Sequence, residues 1–368
     1  MKGEHLKDEL RTNMTLWDSL EKEEAIKLKL EYLDSKTIFV YHKKAAEIIK
    51  ELKRIFRKAV NFTNHNRKTN FSMNKASLIG MSIVGHSGSG KSETIQEFIR
   101  IINEEKIEFI NSNKEFEQIH VIWINLPPVD HGIKGLYEAV LAPFFKDPDL
   151  LEAQTKDIKY MSEKDIKGML QEQVANYLRN GNTMVLFIDE FQNLWDYKKE
   201  DIDISILESL KLLGSNGWCV IVPSGVPKAM KAIKSDPEKQ LIQRCPIYEF
   251  SKLDFFYYNA EFLDFIEGFE EQLPFWEPSN LMNEKMSELI FTKAISPFRI
   301  EIEKRNKAAG NKNYEYFTNV RYICEVILRA AEYALEDNAT KITEKYIDQV
   351  QMPNDFDEEE LNGYLNNV

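Results

Sequence analysis

The chain has 368 residues, of which 43% are hydrophobic and 11% aromatic, and its 48 Lys and Arg against 60 Asp and Glu leave a net charge of −12. That length predicts two or three domains with real cores, and the acidity excludes a uniformly basic nucleic-acid coat, so any such contact must be a local patch. Three widely spaced cysteines, Cys219, Cys245 and Cys324, form no CxxC pair, so neither a zinc site nor a disulfide framework is supported, and small buried thiols in a reducing compartment are expected.

The N-terminus, MKGEHLKDEL, is charged from the start, and no later apolar run reaches the length of a membrane span. A cytoplasmic protein with no membrane partner is expected. Residues 1–40 carry Leu6, Leu10, Trp17, Leu20, Ile26 and Leu30 at loosely helical spacing and read as an N-terminal helical extension. Residues 42–76 hold ten Lys and Arg against Glu47 and Glu51. Their first half, KKAAEIIKELKRIFRKAV, is an amphipathic helix with a basic face, and their second, NFTNHNRKTNFSMNK, a polar loop. A basic run in an acidic chain suits a polyanion; the alternative is a solvated helix face.

Five short apolar segments follow, separated by helical stretches: Leu78–Val84, His120–Asn125, Met184–Asp189, Trp218–Val222 and Pro246–Phe250. Near-continuous apolar strands alternating with helices predict a five-stranded parallel sheet between helices, an α/β fold. From Phe255 the strand pattern gives way to helical periodicity. The expected domains are 1–40, an α/β domain at 41–252, a small all-helical domain at 253–352 and an acidic tail at 353–368 with five acids and no base.

The strongest motif is Gly85-His86-Ser87-Gly88-Ser89-Gly90-Lys91-Ser92, followed by Glu93. It fits GxxxxGK[ST], follows a predicted strand and opens a predicted helix, which is the context of a phosphate-binding loop. Glycines let the backbone curl so that its N–H groups face phosphates, Lys91 reaches the β- and γ-phosphates of ATP, and the Ser92 hydroxyl sits on Mg²⁺. The second motif, MVLFIDE, ends an apolar strand in Asp189 and Glu190. Asp189 would hold Mg²⁺ through water and Glu190 would polarise the attacking water. One strand, His120–Asn125, lies between the two motifs, and this inserted strand favours the AAA+ and RecA-like branch of P-loop NTPases over nucleotide kinases, in which the two motif strands are neighbours. Ser224, at the end of the fourth strand, is the candidate γ-phosphate sensor; the alternative is an ordinary strand-end turn. Arg244, just before the last strand, is the candidate arginine finger for a neighbouring subunit. Arg321 opens a helix of the helical domain and is a further candidate for contact with the nucleotide.

Together these residues resemble the AAA+ transposition regulators of the TnsC/TniB type. Beyond the P-loop and MVLFIDEFQNLW, the resemblance rests on INLPPVDHGIKGLYEAVLAPF, ILESLKLLGSNGWCVIVPSGVPKAM and RAAEYALEDNATKITEKYIDQV, and it spans roughly residues 37–350. It implies an AAA+ ATPase with a helical lid. Such a protein forms a ring or helical homo-oligomer on double-stranded DNA and links a target-selection protein to transposase subunits. ATP hydrolysis drives its disassembly. The resemblance places DNA contacts after the second strand, at His131 and Lys134, with Lys156 and Lys159 as a second group. The alternative function is a P-loop signalling switch that acts on proteins without DNA.

Overall fold

A computed structural model describes residues 2–34, 38–69, 80–110, 116–128, 131–145, 149, 163–196, 201–215, 219–250, 255–256, 260–295, 317–318 and 320–352. The chain divides into two compact units. The described residues of 47–86 and 91–250 form one, and those of 1–46, 87–90 and 251–368 the other.

The first unit is built on a parallel sheet of β1 (Ser82–Val84), β2 (Val121–Asn125), β3 (Val185–Asp189), β4 (Val220–Gly225) and β5 (Ile247–Glu249), ordered β2-β3-β4-β1-β5. Each predicted apolar segment carries one strand, but β4 runs three residues past the expected end at Val222 and takes in Pro223, Ser224 and Gly225. The motif strands are indeed not neighbours, but the strand that separates β1 from β3 is β4 and not the expected 121–125 strand, which lies on the outer side of β3. Alternation along β3 supplies both faces of the sheet. Leu186 and Ile188 join a core with Tyr137, Val140, Leu178 and Leu210. Phe187 points the other way, onto Phe98 of the helix Lys91–Glu104, with ring centroids 5.7 Å apart. Phe56 of the helix Lys43–Thr69 stacks beyond it at 6.3 Å. Burial on both faces is why β3 carries no polar residue before Asp189.

The helix Lys43–Thr69 runs into the segment read as a polar loop. The extra turns are held by side-chain hydrogen bonds. The Arg67 guanidinium donates to the carbonyls of Ile110 and Arg179 and to Asn182 Oδ1, and Asn64 pairs with the backbone of Glu108 and Ile110. Residues 70–79 lie outside the described residues. The buried side carries Ile48, Leu52, Ile55, Phe56 and Ala59, whereas Lys50, Arg54, Arg57, Lys58 and Lys68 are exposed.

The second unit is mainly helical: Lys2–Trp17, Lys22–Asp34, Ala260–Glu270, 284–295, Val320–Glu336 and Glu344–Gln349. A two-residue antiparallel pair, Phe255–Phe256 with Phe317–Thr318, departs from the all-helical expectation. The N-terminal residues are part of this unit. Leu33 lies in one core with Phe262, Phe291, Ile323 and Ile347, and the Gln272 amide exchanges two 3.0 Å hydrogen bonds with the backbone of Phe39. The acidic tail at 353–368 lies outside the described residues.

Candidate functional site

At the carboxyl edge of the sheet, β1 ends at Val84 and the P-loop begins. The Gly85 N–H donates to the Gly225 carbonyl at 3.1 Å, tying the loop's first residue to the end of β4. Gly88 (φ +75°) and Gly90 (φ +86°) stand in the left-handed region, which glycine enters without a Cβ penalty. Lys91 is buried, and its ammonium donates to the carbonyls of Gly85 at 2.7 Å and His86 at 2.9 Å. Ser92 is half-buried and Glu93 exposed in the first helical turn, where an acid suits the helix dipole.

The loop's tip, Ser87–Gly90, belongs to the helical unit. There the backbone N–H of Arg321, which opens the helix Val320–Glu336, donates to the Gly88 carbonyl at 3.3 Å, while the Arg321 side chain is exposed. Ser89 is buried and its Oγ has no partner among the described residues. An unpaired buried hydroxyl costs about 1–3 kcal/mol, so this loop fits a ligand rich in oxygen acceptors. His42 also borders the tip: a Cβ built on Gly90 would lie 3.6 Å from its Nε2. Burial pushes the His42 imidazole down to about 4.

Asp189 ends β3 in register with Asn125 of β2 and is buried, with its Oδ1 accepting the Glu190 N–H at 3.0 Å. Glu190 is exposed and left-handed, φ +55° and ψ +36°. A non-glycine residue there carries about 1–3 kcal/mol of strain, held in place only by its surroundings. The holding is visible: Phe191 and Leu194 of the short 3₁₀ turn Phe191–Leu194 are fully buried, and the Asn193 N–H donates to the Glu190 carbonyl at 2.8 Å. Ser224 sits on β4 opposite Ile83 of β1, completely buried, and its Oγ lacks a partner among the described residues. Lys91, Asp189, Glu190 and Ser224 thus share one unit and one edge of the sheet.

Arg244 does not join them. It ends the helix Gln240–Arg244 at the opposite, amino edge, where its carbonyl accepts the Gly80 N–H at 2.8 Å. From Gly80 to Gly85 the extended chain runs about 16 Å, so Arg244 is remote from its own P-loop. One guanidinium nitrogen, Nη1, is buried without a partner among the described residues. Asp236 anchors this edge: it accepts the Leu241 N–H at 2.8 Å, the Glu238 N–H at 3.2 Å and the Lys211 ammonium at 2.6 Å. Burial pushes its carboxyl up, but the Lys211 hydrogen bond and the two backbone N–H groups outweigh this and hold its pKa below the usual aspartate value. Cys219 and Cys245 are buried thiols pushed up to about 12, which keeps them inert.

Beyond β2, His131 is exposed at the N-terminus of the helix Gly132–Leu141. Lys134 on that helix is half-buried and pairs with Glu138 at 3.4 Å. Lys156 and Lys159 lie outside the described residues.

The family model of the bacterial TniB protein matches residues 29–251, more than half of the chain. The chain belongs to the bacterial TniB family. With its P-loop, its Asp-Glu strand end and this strand order, the TniB chain is an AAA+ nucleotide-hydrolysing P-loop enzyme. Among curated proteins none matches the sequence. The solved structures it is similar to include Drosophila ORC bound to DNA, at 14% identity and a TM-score of 0.40, covering 90% of this chain and 65% of that one. The Aeropyrum pernix ORC1 protein in complex with DNA matches at 11% identity and a TM-score of 0.41, covering 80% and 63%. The TniB chain thus spans less than two thirds of each, and likeness this distant carries no functional argument. Among the described residues no helix is long and apolar enough to cross a membrane.

Gln192 is the residue that sequence reasoning missed. Its amide nitrogen donates to Glu190 Oε2 and its amide oxygen accepts the Val226 N–H at 3.3 Å. No spacing signals it, because its second partner is 34 residues away.

Proposed function

We propose that this TniB chain is an ATP-dependent regulator of DNA transposition that assembles on double-stranded DNA as a homo-oligomer, a ring or helical filament. In this reading it links a target-selection protein to transposase subunits, and hydrolysis of ATP drives disassembly. The observation that carries the reading is the separation of Arg244 from Lys91, Asp189, Glu190 and Ser224 by the length of β1. An arginine at the far edge of the sheet, with one buried nitrogen unpartnered among the described residues, suits the nucleotide of an adjacent copy. The triphosphate then joins subunits, and its loss separates them.

ATP supplies the γ-phosphoryl group and Mg²⁺ would neutralise its charge, held by Ser92 and Asp189. Lys91 exchanges two loop carbonyls for phosphate oxygens. Glu190 takes a proton from the attacking water, and the buried Ser224 hydroxyl offers a hydrogen bond at the same edge. Arg321 and Glu93 border the loop. For the duplex, each subunit brings only a few cations, Lys134 and the exposed basic face of the helix Lys43–Thr69 among them. Repetition around an assembly multiplies these contacts without a basic net charge. The i,i+4 pair of Lys134 with Glu138 contributes only about 0.3–0.5 kcal/mol, so it yields readily to a phosphate.

Sedimentation with duplex DNA and a non-hydrolysable ATP analogue at low and high salt tests the proposal. Co-pelleting that depends on nucleotide and falls steeply with salt supports it. No retention at low salt overturns the DNA part and leaves a P-loop switch acting on proteins.

A further inference from the structure

We propose that Gln192 is a positioning residue: its side-chain amide holds the Glu190 carboxylate in place for proton abstraction and ties it to the turn that follows β4. The proposal rests on the reading of Glu190 as the base.

Three observations converge on this side chain. First, Glu190 leaves β3 in the left-handed conformation, so its carboxylate is projected by an unusual backbone rather than by a regular strand or helix. Second, the Gln192 amide points its two ends at different groups. Nε2 donates to Glu190 Oε2, and Oε1 accepts the Val226 N–H at 3.3 Å. A primary amide supplies a donor on one side and an acceptor on the other; a carboxylate accepts at both ends and a hydrocarbon does neither. Third, the backbone leaves room for it. A Cβ on Gly225 would lie 2.5 Å from Gln192 Oε1, 2.9 Å from the Ala229 Cβ and 3.2 Å from the Phe191 nitrogen. Gly225 is not left-handed, so its lack of a side chain serves close approach rather than backbone freedom.

The physical consequence is geometric. The hydrogen bond restricts the rotamers of an otherwise exposed side chain, which brings the base closer to one reactive geometry. Because Val226 follows Ser224 and Gly225 directly, any shift of that turn reaches Glu190 through one amide.

The test compares ATP turnover and nucleotide affinity for the full-length chain, with duplex DNA present, in Gln192→Ala, Gln192→Glu and Glu190→Gln. Nucleotide affinity in all three is expected to match the parent, with turnover of Gln192→Ala lowered by about 10- to 100-fold, the range for a displaced reacting group. Gln192→Glu keeps the shape but brings a second carboxylate to the Glu190 side chain, beside Asp189. Its turnover should be no higher than that of Gln192→Ala, because the donor to Glu190 is gone and a like charge stands in its place. A packing role predicts the reverse order, with the isosteric Glu tolerated better than Ala. That order, or parental turnover in Gln192→Ala, overturns the proposal while Glu190→Gln stays inactive. Normal turnover in Glu190→Gln instead removes the base reading itself.

Discussion

At the carboxyl edge of the sheet, the Ser224 hydroxyl is buried with no partner among the described residues, Lys91 donates to loop carbonyls, and Glu190 stands in a strained conformation. At the amino edge, Asp236 satisfies three donors, the Gly80 N–H meets the Arg244 carbonyl, and the Ser82 hydroxyl donates to the Cys245 carbonyl at 2.9 Å. One edge holds buried polar groups open to a ligand; the other is a closed scaffold on which Arg244 Nη1 is buried without a partner among the described residues. In the proposed assembly the difference teaches how one chain could carry both halves of a nucleotide site on opposite edges of a single sheet.

The harshest way to break that comparison is Lys91→Ala. Removing the buried ammonium takes the phosphate-directed charge from the carboxyl edge while leaving the amino edge intact. We expect loss of ATP binding in calorimetry and, with it, loss of nucleotide-dependent oligomers in light scattering. Retained binding would move the phosphate contact elsewhere.

Arg244→Ala attacks the other edge. Turnover should fall by about 10³ or more, the usual weight of an arginine finger, with ATP affinity of the isolated subunit unchanged. Mixing the two variants sharpens the point. A Lys91→Ala subunit still offers its arginine to an Arg244→Ala neighbour, so random head-to-tail mixing restores about a quarter of the interfaces. No recovery on mixing would mean that the finger is not shared between copies.

Much of the carboxyl edge was legible in the sequence because its signals are local. Apolar runs marked the strands, and glycines with Lys91 and Ser92 marked the loop. The amino edge was less so. Arg244 could be named from its place before the last strand, but the Asp236–Lys211 pair spans 25 residues and leaves no periodic trace. The same holds for Arg67, whose bonds to Arg179 and Asn182 turn an apparent loop into helix, and for Gln192 with Val226. Strand order is also non-local: β4 enters between β1 and β3 although it follows both. The Phe255–Phe256 pair is simply too short to register as alternation.

Asp236→Asn measures how far the scaffold holds Arg244. It leaves the Lys211 ammonium, 12% exposed, without its buried counter-charge, and breaking such a pair costs about 3 kcal/mol. A lowered melting temperature is expected together with a fall in turnover smaller than that of Arg244→Ala. Turnover equal to the parent at temperatures where the fold persists would show that Asp236 stabilises this edge without placing the arginine.

The mildest effect lies in the pH dependence and separates the units by the window in which each responds. Asp236 has its pKa below the ordinary aspartate value of 3.8, so its contribution is present above that value and disappears as pH falls further. His42, in the helical unit, is held neutral by burial, down to about 4 from 6.5. An unfolded chain therefore takes up this proton first. The stability of the helical unit is full above pH 6.5, declines between 6.5 and 4, and then levels off. Thermal melts monitored between pH 7 and 4 should show a decline of a few degrees that His42→Phe removes, while the Asp236-dependent loss appears only in stronger acid. If the His42→Phe melts keep the same slope, the imidazole beside the loop tip is not the group that titrates, and the acid sensitivity belongs to the carboxylates of the sheet.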